Sequence, residues 1–337
     1  MSLYETSSAP LVAVLIPVYN GEEYLRECIE SVLAQTYSNW ECVIVNNCST
    51  DRTLEIAQEY AASDRRIRVH SNQHFAPIIQ NHNIALRRAS LQSKYCKVVF
   101  ADDWLFPQCL MEMVKVAEAH PSAGIVGAYG LDSTEVLWSG LPYPSTFVSG
   151  RKLCRETLLG GPYVFGTPTS LLIRSDLVRA QESFYNESNL HADHEACYEV
   201  LRDSDFGFVH QVLTFSRPRP ESTAVVARRL ESYILGSLSA LVIHGPIYLT
   251  RDEYELRLEQ RMNQYYKVLA KNFLRLREKK FWEYHREKLA NLGHPLSHIR
   301  LSKAVLREVL ESLSRPLDAL DGVRSWWPRT FSRMLNK

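Results

Sequence analysis

The chain has 337 residues, of which 45% are hydrophobic and 23% charged; these ordinary values exclude a largely disordered protein. Its length suggests two domains, or one large domain with an appendage. No run of about 18 apolar residues occurs, so we expect no transmembrane helix, and residues 1–10 do not resemble a signal peptide. Seven scattered cysteines without a C-x-x-C pair favour a reduced, cytoplasmic protein over a disulfide framework or a zinc site.

The net charge of +1 conceals an asymmetry along the chain. Residues 261–337 contain 17 Lys and Arg against 7 Asp and Glu, a net charge of +10, so residues 1–260 carry a net charge of −9. An acidic body with a basic carboxyl-terminal region predicts two functional surfaces.

The first 120 residues alternate strand and helix patterns. Apolar runs predict strands at 11–18, 41–45, 67–70 and 97–101, and helical patterns predict helices beginning near residue 25 and at 52–62, 78–90 and 107–120. Repeated β-α-β units with short loops predict an α/β fold, with a parallel sheet covered by helices on both faces.

The pattern changes twice further along the chain. Gly and Pro concentrate between 121 and 225, which predicts loops and short strands, with one helix near 192–203. Long helical patterns follow from 225 to 314, with breaks at 245–246 and 293–295. We therefore predict a domain at 1–225, with halves at about 10–125 and 126–225, and a helical region at 226–337.

Ligands of open α/β sheets bind beyond the carboxyl ends of the strands. Polar clusters fall at such ends at 17–22, 46–51, around 82–83 and at 102–104. Turn and capping chemistry is an open alternative for the first two. Asp102 and Asp103 repel one another unless a cation or hydrogen-bond donors separate them. They suit Mg²⁺ or Mn²⁺ held jointly with a diphosphate, and a helix N-cap pair is the structural alternative.

Four segments in this order carry a family resemblance. They are Ile-Pro-Val-Tyr-Asn-Gly-Glu-Glu-Tyr-Leu at 16–25, Ser-Val-Leu-Ala-Gln-Thr-Tyr at 31–37, Val-Asn-Asn-Cys-Ser-Thr-Asp at 45–51 and Ala-Asp-Asp-Trp at 101–104. Together they resemble the family 2 glycosyltransferases, which have the GT-A fold with a Rossmann-like, mostly parallel sheet. The resemblance covers about 10–125, continues weakly to about 225, and specifies neither donor nor acceptor.

The resemblance implies a nucleotide-sugar site in the first half. Pro17, Tyr19 and Glu22 match the base and ribose pocket of the family, and Asn47 matches the position of an aspartate that faces uracil. His82 and Asn83 match a position near the nucleotide. Asp102 matches the residue that contacts the ribose, and Asp103 matches the ligand of an Mn²⁺ or Mg²⁺ ion that bridges the diphosphate. An amide at Asn47 can still pair with uracil. Arg217 and Arg219 match the segment that closes over the diphosphate, where Arg219 replaces a frequent histidine; a basic surface loop is the alternative.

The resemblance also implies a catalytic base beyond the nucleotide half. Asp193 matches the base that deprotonates the acceptor hydroxyl, and Glu195 matches a second acid, whereas Ala192 stands where relatives have a glutamate. A solvated helix start and a zinc site of His191, His194 and Glu195 remain alternatives.

The basic carboxyl-terminal region lies outside the resemblance. Aromatic and basic residues mix at 254–292, and residues 325–337 combine two tryptophans with cations, as peripheral membrane anchors do. Such contact would suit a lipid-linked acceptor. Helices that pack on the catalytic domain, or against a second subunit in a homodimer, are the alternative. No nucleic-acid module accompanies the basic residues, so no nucleic-acid partner is expected.

The sequence thus predicts an inverting, metal-dependent glycosyltransferase. We expect it to use a nucleotide diphosphate donor, a UDP-sugar, and to glycosylate a hydroxyl of a glycan or lipid-linked saccharide, in the cytoplasm or at the inner face of a bacterial membrane. A nucleotidyltransferase would need a Gly-rich basic loop that 17–20 lacks. A degenerate nucleotide-sugar-binding or scaffold protein is the other alternative; Asn46 and Asn47 support it, whereas Asp102, Asp103 and Asp193 oppose it.

Overall fold

A computed structural model describes residues 9–137, 139–217, 227 and 229–314. The chain divides into two units, Met1–Ser222 and Thr223–Lys337. The predicted domain boundary at 225 and the predicted membrane-contacting residues 325–337 lie outside the described residues.

The first unit alternates strands and helices, as the sequence predicts. Its strands are β1 (Val12–Val18), β2 (Trp40–Asn46), β3 (Ile67–Ser71), β4 (Tyr95–Val98), β5 (Trp104–Leu105), β6 (Ala123–Asp132), β7 (Glu135–Leu137), β8 (Phe147–Val148), β9 (Leu171–Arg174) and β10 (Asp205–Ser216). Its helices are α1 (Leu25–Leu33), α2 (Thr53–Ser63), α3 (Ile78–Leu86), α4 (Cys109–Ala119), α5 (Gly150–Leu158), α6 (Ser175–Arg179) and α7 (Ala192–Val200), with a 3-10 turn at Pro168–Ser170.

These strands form one sheet in the order β3-β2-β1-β4-β9-β6-β10-β5. The first four are parallel, β9 runs antiparallel to both β4 and β6, β10 is parallel to β6, and β5 is antiparallel to β10. The short strands β7 and β8 pair with β6 and β10. The sheet is therefore mixed but mostly parallel, and helices flank it, which confirms the predicted fold class.

The central position of β1 explains its composition. All its residues are buried, because β2 and β4 pair with its two edges and helices cover the sheet. A strand buried in this way reads as one continuous apolar run rather than an alternating pattern.

The sequence underestimated the strands after residue 121. Gly and Pro predicted loops there, yet β6 spans ten residues and β10 spans twelve. Gly127 lies within β6 because the ring of Phe206 on β10 leaves no room for a side chain, since a Cβ atom at Gly127 would lie 2.9 Å from that ring. Glycine here serves close packing between neighbouring strands rather than a turn.

The second unit is helical. Its helices are α8 (Ser232–Tyr248), α9 (Arg251–Leu274), α10 (Lys279–Asn291) and α11 (His298–Ser314). Their core includes Leu238, Tyr265, Leu269 and Leu289. The break at 293–295 is confirmed, but the break at 245–246 is wrong because α8 continues through Pro246 to Tyr248. No helix among the described residues is long and apolar enough to span a membrane.

Leu15 provides a test of the buried central strand. Leu15→Ala removes a fully buried side chain, so we expect the free energy of unfolding to fall by about 2–5 kcal/mol in urea denaturation. The control Leu91→Ala changes an exposed leucine and should alter the free energy of unfolding by less than about 0.5 kcal/mol. Equal losses in the two variants would contradict the assignment of β1 as the centre of the core.

Candidate functional site

The carboxyl ends of β1, β2 and β4 meet at one edge of the sheet, because the three strands are parallel neighbours. The polar clusters at 17–22, 46–51 and 102–104 begin at or just beyond these ends. The structure therefore brings together three of the four segments that the sequence singled out.

Hydrogen bonds join the loop after β1 to the loop after β2. The backbone N–H of Asn20 donates to Ser49 Oγ, and that of Glu22 to the Asp51 carboxylate, each at 3.0 Å. In return, the Glu22 carboxylate accepts a bond from the backbone N–H of Arg52 at 3.0 Å. Glu22 thus fixes the two loops against each other, and its predicted nucleotide contact stays a prediction.

Asn47 uses its amide to hold the loop that follows β3. Its Nδ2 donates to the carbonyl of Ala76 at 2.8 Å, and its Oδ1 accepts from the N–H of Ala76 at 2.9 Å and from Asn72 Nδ2 at 2.8 Å. The side chain is buried. Asn47 therefore supports the loop after β3 in this structure, and its predicted contact with uracil stays a prediction.

Two exposed aromatic rings lie beside these loops. Tyr19, directly after β1, is 48% exposed, and Phe75, in the loop held by Asn47, is 58% exposed. Their ring centroids are 5.0 Å apart in an edge-on arrangement. Pro17, by contrast, is buried inside β1. The sequence analysis missed Phe75, although a phenylalanine just after the polar residues 71–74 was a usable signal.

Asp103 lies almost buried in the turn after β4, with only 4% of its surface exposed. One carboxylate oxygen accepts a hydrogen bond from Thr169 Oγ1 at 2.6 Å, and the other accepts from the backbone N–H of Arg217 at 3.1 Å. Burial, followed by the neighbouring charge of Asp102, raises the pKa of Asp103 to about 7. Asp103 therefore connects the β4 turn, the 3-10 turn and the end of β10.

A buried lysine lies on the other side of Thr169. Lys97 in β4 is fully buried, and its Nζ donates to the Thr169 carbonyl at 2.5 Å. Burial lowers the pKa of Lys97, and the charge of Asp103 opposes that shift. Thr169 thus contacts the Lys97 Nζ through its carbonyl and the Asp103 carboxyl group through its hydroxyl. A lysine inside an otherwise apolar run was the overlooked signal.

Arg217 is held by an ion pair and by aromatic rings. Its guanidinium pairs with Glu27, and its Cζ lies 4.3 Å from the ring centroid of Tyr24 and 5.2 Å from that of Trp104. Its Nε also donates to the carbonyl of Asp102 at 3.3 Å. Arg217 therefore places a cation beside the carboxylate pair, whereas Arg219 lies outside the described residues.

The carboxylate pair fits a hard divalent cation. Asp102 is the more exposed of the two residues, and the charge of Asp102, after burial as the main cause, raises the pKa of Asp103. No group of three or more His, Cys, Asp or Glu in the described chain is placed to hold a metal ion. A cation at this pair would therefore need oxygens from a bound diphosphate to complete its coordination, as Mg²⁺ commonly does.

Asp193 lies in the first turn of α7, and His82 on α3 lies close to it. The imidazole of His82 stacks on Phe100, with centroids 5.2 Å apart, just before the carboxylate pair. Burial lowers the pKa of His82 to about 4, while the charge of Asp193 opposes the shift. Asp193 also raises the pKa of Tyr185 and Tyr163, after burial as the main cause. The structure thus links Asp193 to the β4 turn through the neutral imidazole of His82.

Glu195 supports the loop before α7. Its carboxylate accepts hydrogen bonds from Nδ2 of Asn186, at 3.1 and 3.2 Å, and from Nδ2 of Asn189, at 2.6 Å. A structural zinc site would need several protein ligands at one point, and His191, His194 and Glu195 form no such group in the described structure. A role of Glu195 as a second acid stays a prediction.

Asn83 ties α3 to the segment that precedes α7. It is buried, its Nδ2 donates to the carbonyl of Tyr185 at 2.8 Å and to Ser183 Oγ at 2.9 Å, and its Oδ1 accepts from the N–H of Tyr185 at 2.8 Å. Asn83 therefore supports this segment through both polar ends of its amide, and its predicted position near the nucleotide stays a prediction.

Asn47→Asp tests the supporting role of the amide. A carboxylate cannot donate to the Ala76 carbonyl, so we expect the free energy of unfolding to fall by about 1–3 kcal/mol at pH 7. The loss should shrink below about pH 4, where a protonated carboxyl can donate again. Asn39→Asp is the matched control, because exposed Asn39 also donates to a carbonyl, that of Ala9, and water can replace that bond. Equal losses in both variants would contradict the role.

His82→Phe tests the environment of the imidazole by urea unfolding at several pH values. The unfolded chain binds a proton near pH 6.5 but the folded protein only near pH 4, so His82 makes stability fall as the pH drops through this range. Between pH 7 and pH 4.5 this loss is about 2–3 kcal/mol, and it should be absent from the variant. An unchanged pH dependence would show that His82 is solvated. His285, whose pKa is also near 4, is present in both proteins.

Comparison with known proteins identifies the family. The model of glycosyl transferase family 2 matches residues 13–179. The putative glycosyltransferase EpsE of Bacillus subtilis (strain 168) is 31% identical over 243 residues, which cover 67% of this chain and 84% of EpsE. The putative teichuronic acid biosynthesis glycosyltransferase TuaG of the same strain is 39% identical over 98 residues, which cover 29% of this chain and 38% of TuaG.

Solved structures show the same fold. TarS 1–349 of S. aureus in complex with UDP-GlcNAc has a TM-score of 0.61 and 17% identity, over 84% of this chain and 80% of that one. The mannosyltransferase PcManGT from Pyrobaculum calidifontis, in complex with GDP-Man and Mn²⁺, has a TM-score of 0.53 and 16% identity, over 89% and 88%. The predicted GT-A fold is therefore confirmed, and the chain belongs to glycosyl transferase family 2.

Proposed function

We propose that this chain transfers a sugar, with inversion, from a nucleotide diphosphate donor to a hydroxyl of a glycan or lipid-linked saccharide in bacterial surface-polysaccharide synthesis. The proposal depends above all on one observation: the imidazole of His82 stacks on Phe100, two residues before Asp102, and the charge of Asp193 acts on the same imidazole. A catalytic base and a diphosphate-binding turn would lie on opposite sides of a reacting sugar, and Asp193 and the Asp102–Asp103 turn are the candidates for these two roles.

The exposed rings of Tyr19 and Phe75 would bind the nucleobase. An aromatic ring can stack on the flat face of a nucleobase, and this contact does not depend on which base it is. Asn47 fixes the loop that carries Phe75, so the platform exists before a ligand arrives. The choice of UDP is supported by the family resemblance and by the UDP-GlcNAc complex of TarS, while GDP-Man in PcManGT makes GDP the competing nucleotide.

The carboxylate pair would hold the donor diphosphate through a cation, Mn²⁺ or Mg²⁺. The Mn²⁺ complex of PcManGT supports this choice. Both aspartates are candidate ligands: Asp103 by the resemblance, and Asp102 by its greater exposure. When bound, the cation would neutralise charge on the leaving diphosphate. Arg217, and Arg219 by its position in the sequence, would add positive charge on the same side.

Asp193 would act as the general base. Its carboxylate would accept the proton of the acceptor hydroxyl as that oxygen attacks the anomeric carbon of the sugar. One displacement, with the attacking oxygen and the leaving diphosphate on opposite faces, inverts the anomeric configuration. Glu195 would keep the loop before α7 in place beneath this base, through Asn186 and Asn189.

We further propose a cytoplasmic location, at the inner face of the membrane when the acceptor is lipid-linked. The seven cysteines are all free thiols, and six of them are buried. Free thiols of this kind suit a reducing compartment.

Thermal unfolding with UDP, GDP and, as a control, CMP tests the donor site, each with and without Mn²⁺. A ligand that binds only the folded protein raises the melting temperature. We expect one nucleoside diphosphate to stabilise the protein, Mn²⁺ to enhance the effect, and Asp102→Asn or Asp103→Asn to abolish the enhancement. Equal stabilisation with and without Mn²⁺ would contradict the metal role. An unchanged melting temperature with every nucleotide would favour the alternative of a degenerate site.

Asp193→Asn separates catalysis from binding. We expect turnover, measured as UDP or GDP release from UDP-GlcNAc or GDP-mannose with a membrane-lipid extract as acceptor, to fall about 10²–10⁴-fold. The thermal shift with the nucleoside diphosphate should persist, because Asp193 does not contact the nucleotide. Asp203→Asn is the matched control, since Asp203 is exposed and pairs only with its neighbour Arg202. Similar turnover in the two variants would contradict the role of Asp193.

A further inference from the structure

An unusual turn joins α9 to α10 in the helical unit. The N–H of Leu276 donates to the carbonyl of Phe273 at 3.1 Å, and that of Arg277 to the carbonyl of Asn272 at 3.3 Å. This pair of bonds is the Schellman helix ending, whose left-handed residue is usually glycine. Here that residue is Leu276, with a φ of +53°. A leucine in this conformation is less stable than glycine by about 1–2 kcal/mol, so helix termination alone does not explain it.

The same turn exposes apolar side chains to solvent. Leu276 is 89% exposed, Phe273 50% and Leu274 47%. Three exposed apolar residues within four positions of this turn concentrate apolar surface in one place, unlike an exposed apolar residue that stands alone. Both the backbone conformation and the exposure of Leu276 are unfavourable in water, and a partner that covers the turn would compensate for both.

Cations surround this patch. Residues 271–280 contain five basic residues and one acidic residue, Glu278, which pairs with Arg229. In the described structure, Lys271, Arg275 and Lys280 have no carboxylate partner. An anionic surface that also accepts apolar side chains matches this combination, as the interface of a membrane with acidic lipids does.

The described chain also ends near this turn. Arg300 on α11 pairs with Glu259 on α9, and Lys267, further along α9, pairs with Glu308 and Glu311. The two helices are therefore parallel, and their carboxyl ends, Leu274 and Ser314, lie at the same end of the unit. Residues 315–337 contain five basic and two acidic residues. Like charge disfavours contact of the basic turn with the same turn of a second copy.

We propose that the α9–α10 turn, with Phe273, Leu274 and Leu276 at its tip and the cations of 271–280 around them, is a docking surface for an anionic lipid membrane. The apolar side chains enter the interface, and the lysines and arginines contact lipid phosphates. The inference rests on the proposed function in one respect: a lipid-linked acceptor places the reaction at a membrane. Vesicle binding is measured separately from nucleotide binding, so either proposal can fail alone.

Flotation of the full chain with lipid vesicles tests the surface. Vesicles of phosphatidylcholine are compared with vesicles that also contain about 30% phosphatidylglycerol, at about 0.1 M and about 0.5 M NaCl. We expect binding to the anionic vesicles, weakened by salt, and little binding to the neutral ones. Equal binding to both, or to neither, would overturn the proposal.

Leu276→Gly separates membrane contact from folding. Glycine suits the left-handed conformation, so the variant should unfold at the same or a higher urea concentration. Its vesicle affinity should nevertheless fall about tenfold. Arg275→Gln and Lys280→Gln should each lower it about fivefold. The control Leu256→Ala, an exposed leucine near the other end of α9, should leave it unchanged.

Two outcomes would show that this turn does not bind the membrane. Unchanged vesicle binding in Leu276→Gly would show that another part of the chain carries it. A concentration-dependent dimer in light scattering that Leu276→Gly dissociates, with no vesicle binding, would identify a contact between copies. The thermal shift with UDP or GDP should be the same in every variant of this set, which keeps a failed donor site distinct from a failed membrane contact.

Discussion

The buried carboxylate of Asp103 is the interaction on which the candidate site depends. It accepts hydrogen bonds from Thr169 and from the backbone of Arg217, so one side chain joins three segments that are far apart in the sequence. A carboxylate with so little exposure is stable only where donors or positive charge compensate its lost hydration. Arg217 lies beside Asp102 and Asp103 with its guanidinium, and a cation bound with a diphosphate would supply further positive charge.

Much of the polar chemistry near the sheet edge builds the site rather than contacting a ligand. Asn47 and Asn83 are both buried, and each holds one loop by pairing with a backbone N–H and a backbone carbonyl. An amide can satisfy both groups at once, which a carboxylate cannot. The loop held by Asn47 carries Phe75, and the segment held by Asn83 leads to Asp193. The positions of these two candidate site residues therefore depend on the buried amides of Asn47 and Asn83.

The helical unit has an interior and an exposed end of different character. Its interior is apolar and aromatic, with the buried Tyr265 hydroxyl bonded to His285 at 2.5 Å. Its exposed end combines Leu274 and Leu276 with Lys271, Arg275 and Lys280, which have no carboxylate partner among the described residues. Exposed apolar area and excess positive charge are each tolerable on a protein surface, but their coincidence at one strained turn indicates a function in binding.

The sequence by itself determined the class of fold, because continuous apolar strands separated by amphipathic helices have few arrangements other than a parallel sheet. It also predicted that Tyr19 and Asp102 lie close together, since they follow strands whose carboxyl ends must meet. Only the tertiary structure showed which polar residues hold the loops, as Asn47 does, because a local sequence pattern does not reveal hydrogen-bond partners that are distant in the chain. For the same reason the glycines after residue 121 predicted loops and short strands, whereas Gly127 lies in a long strand, where a Cβ atom would lie 2.9 Å from the ring of Phe206.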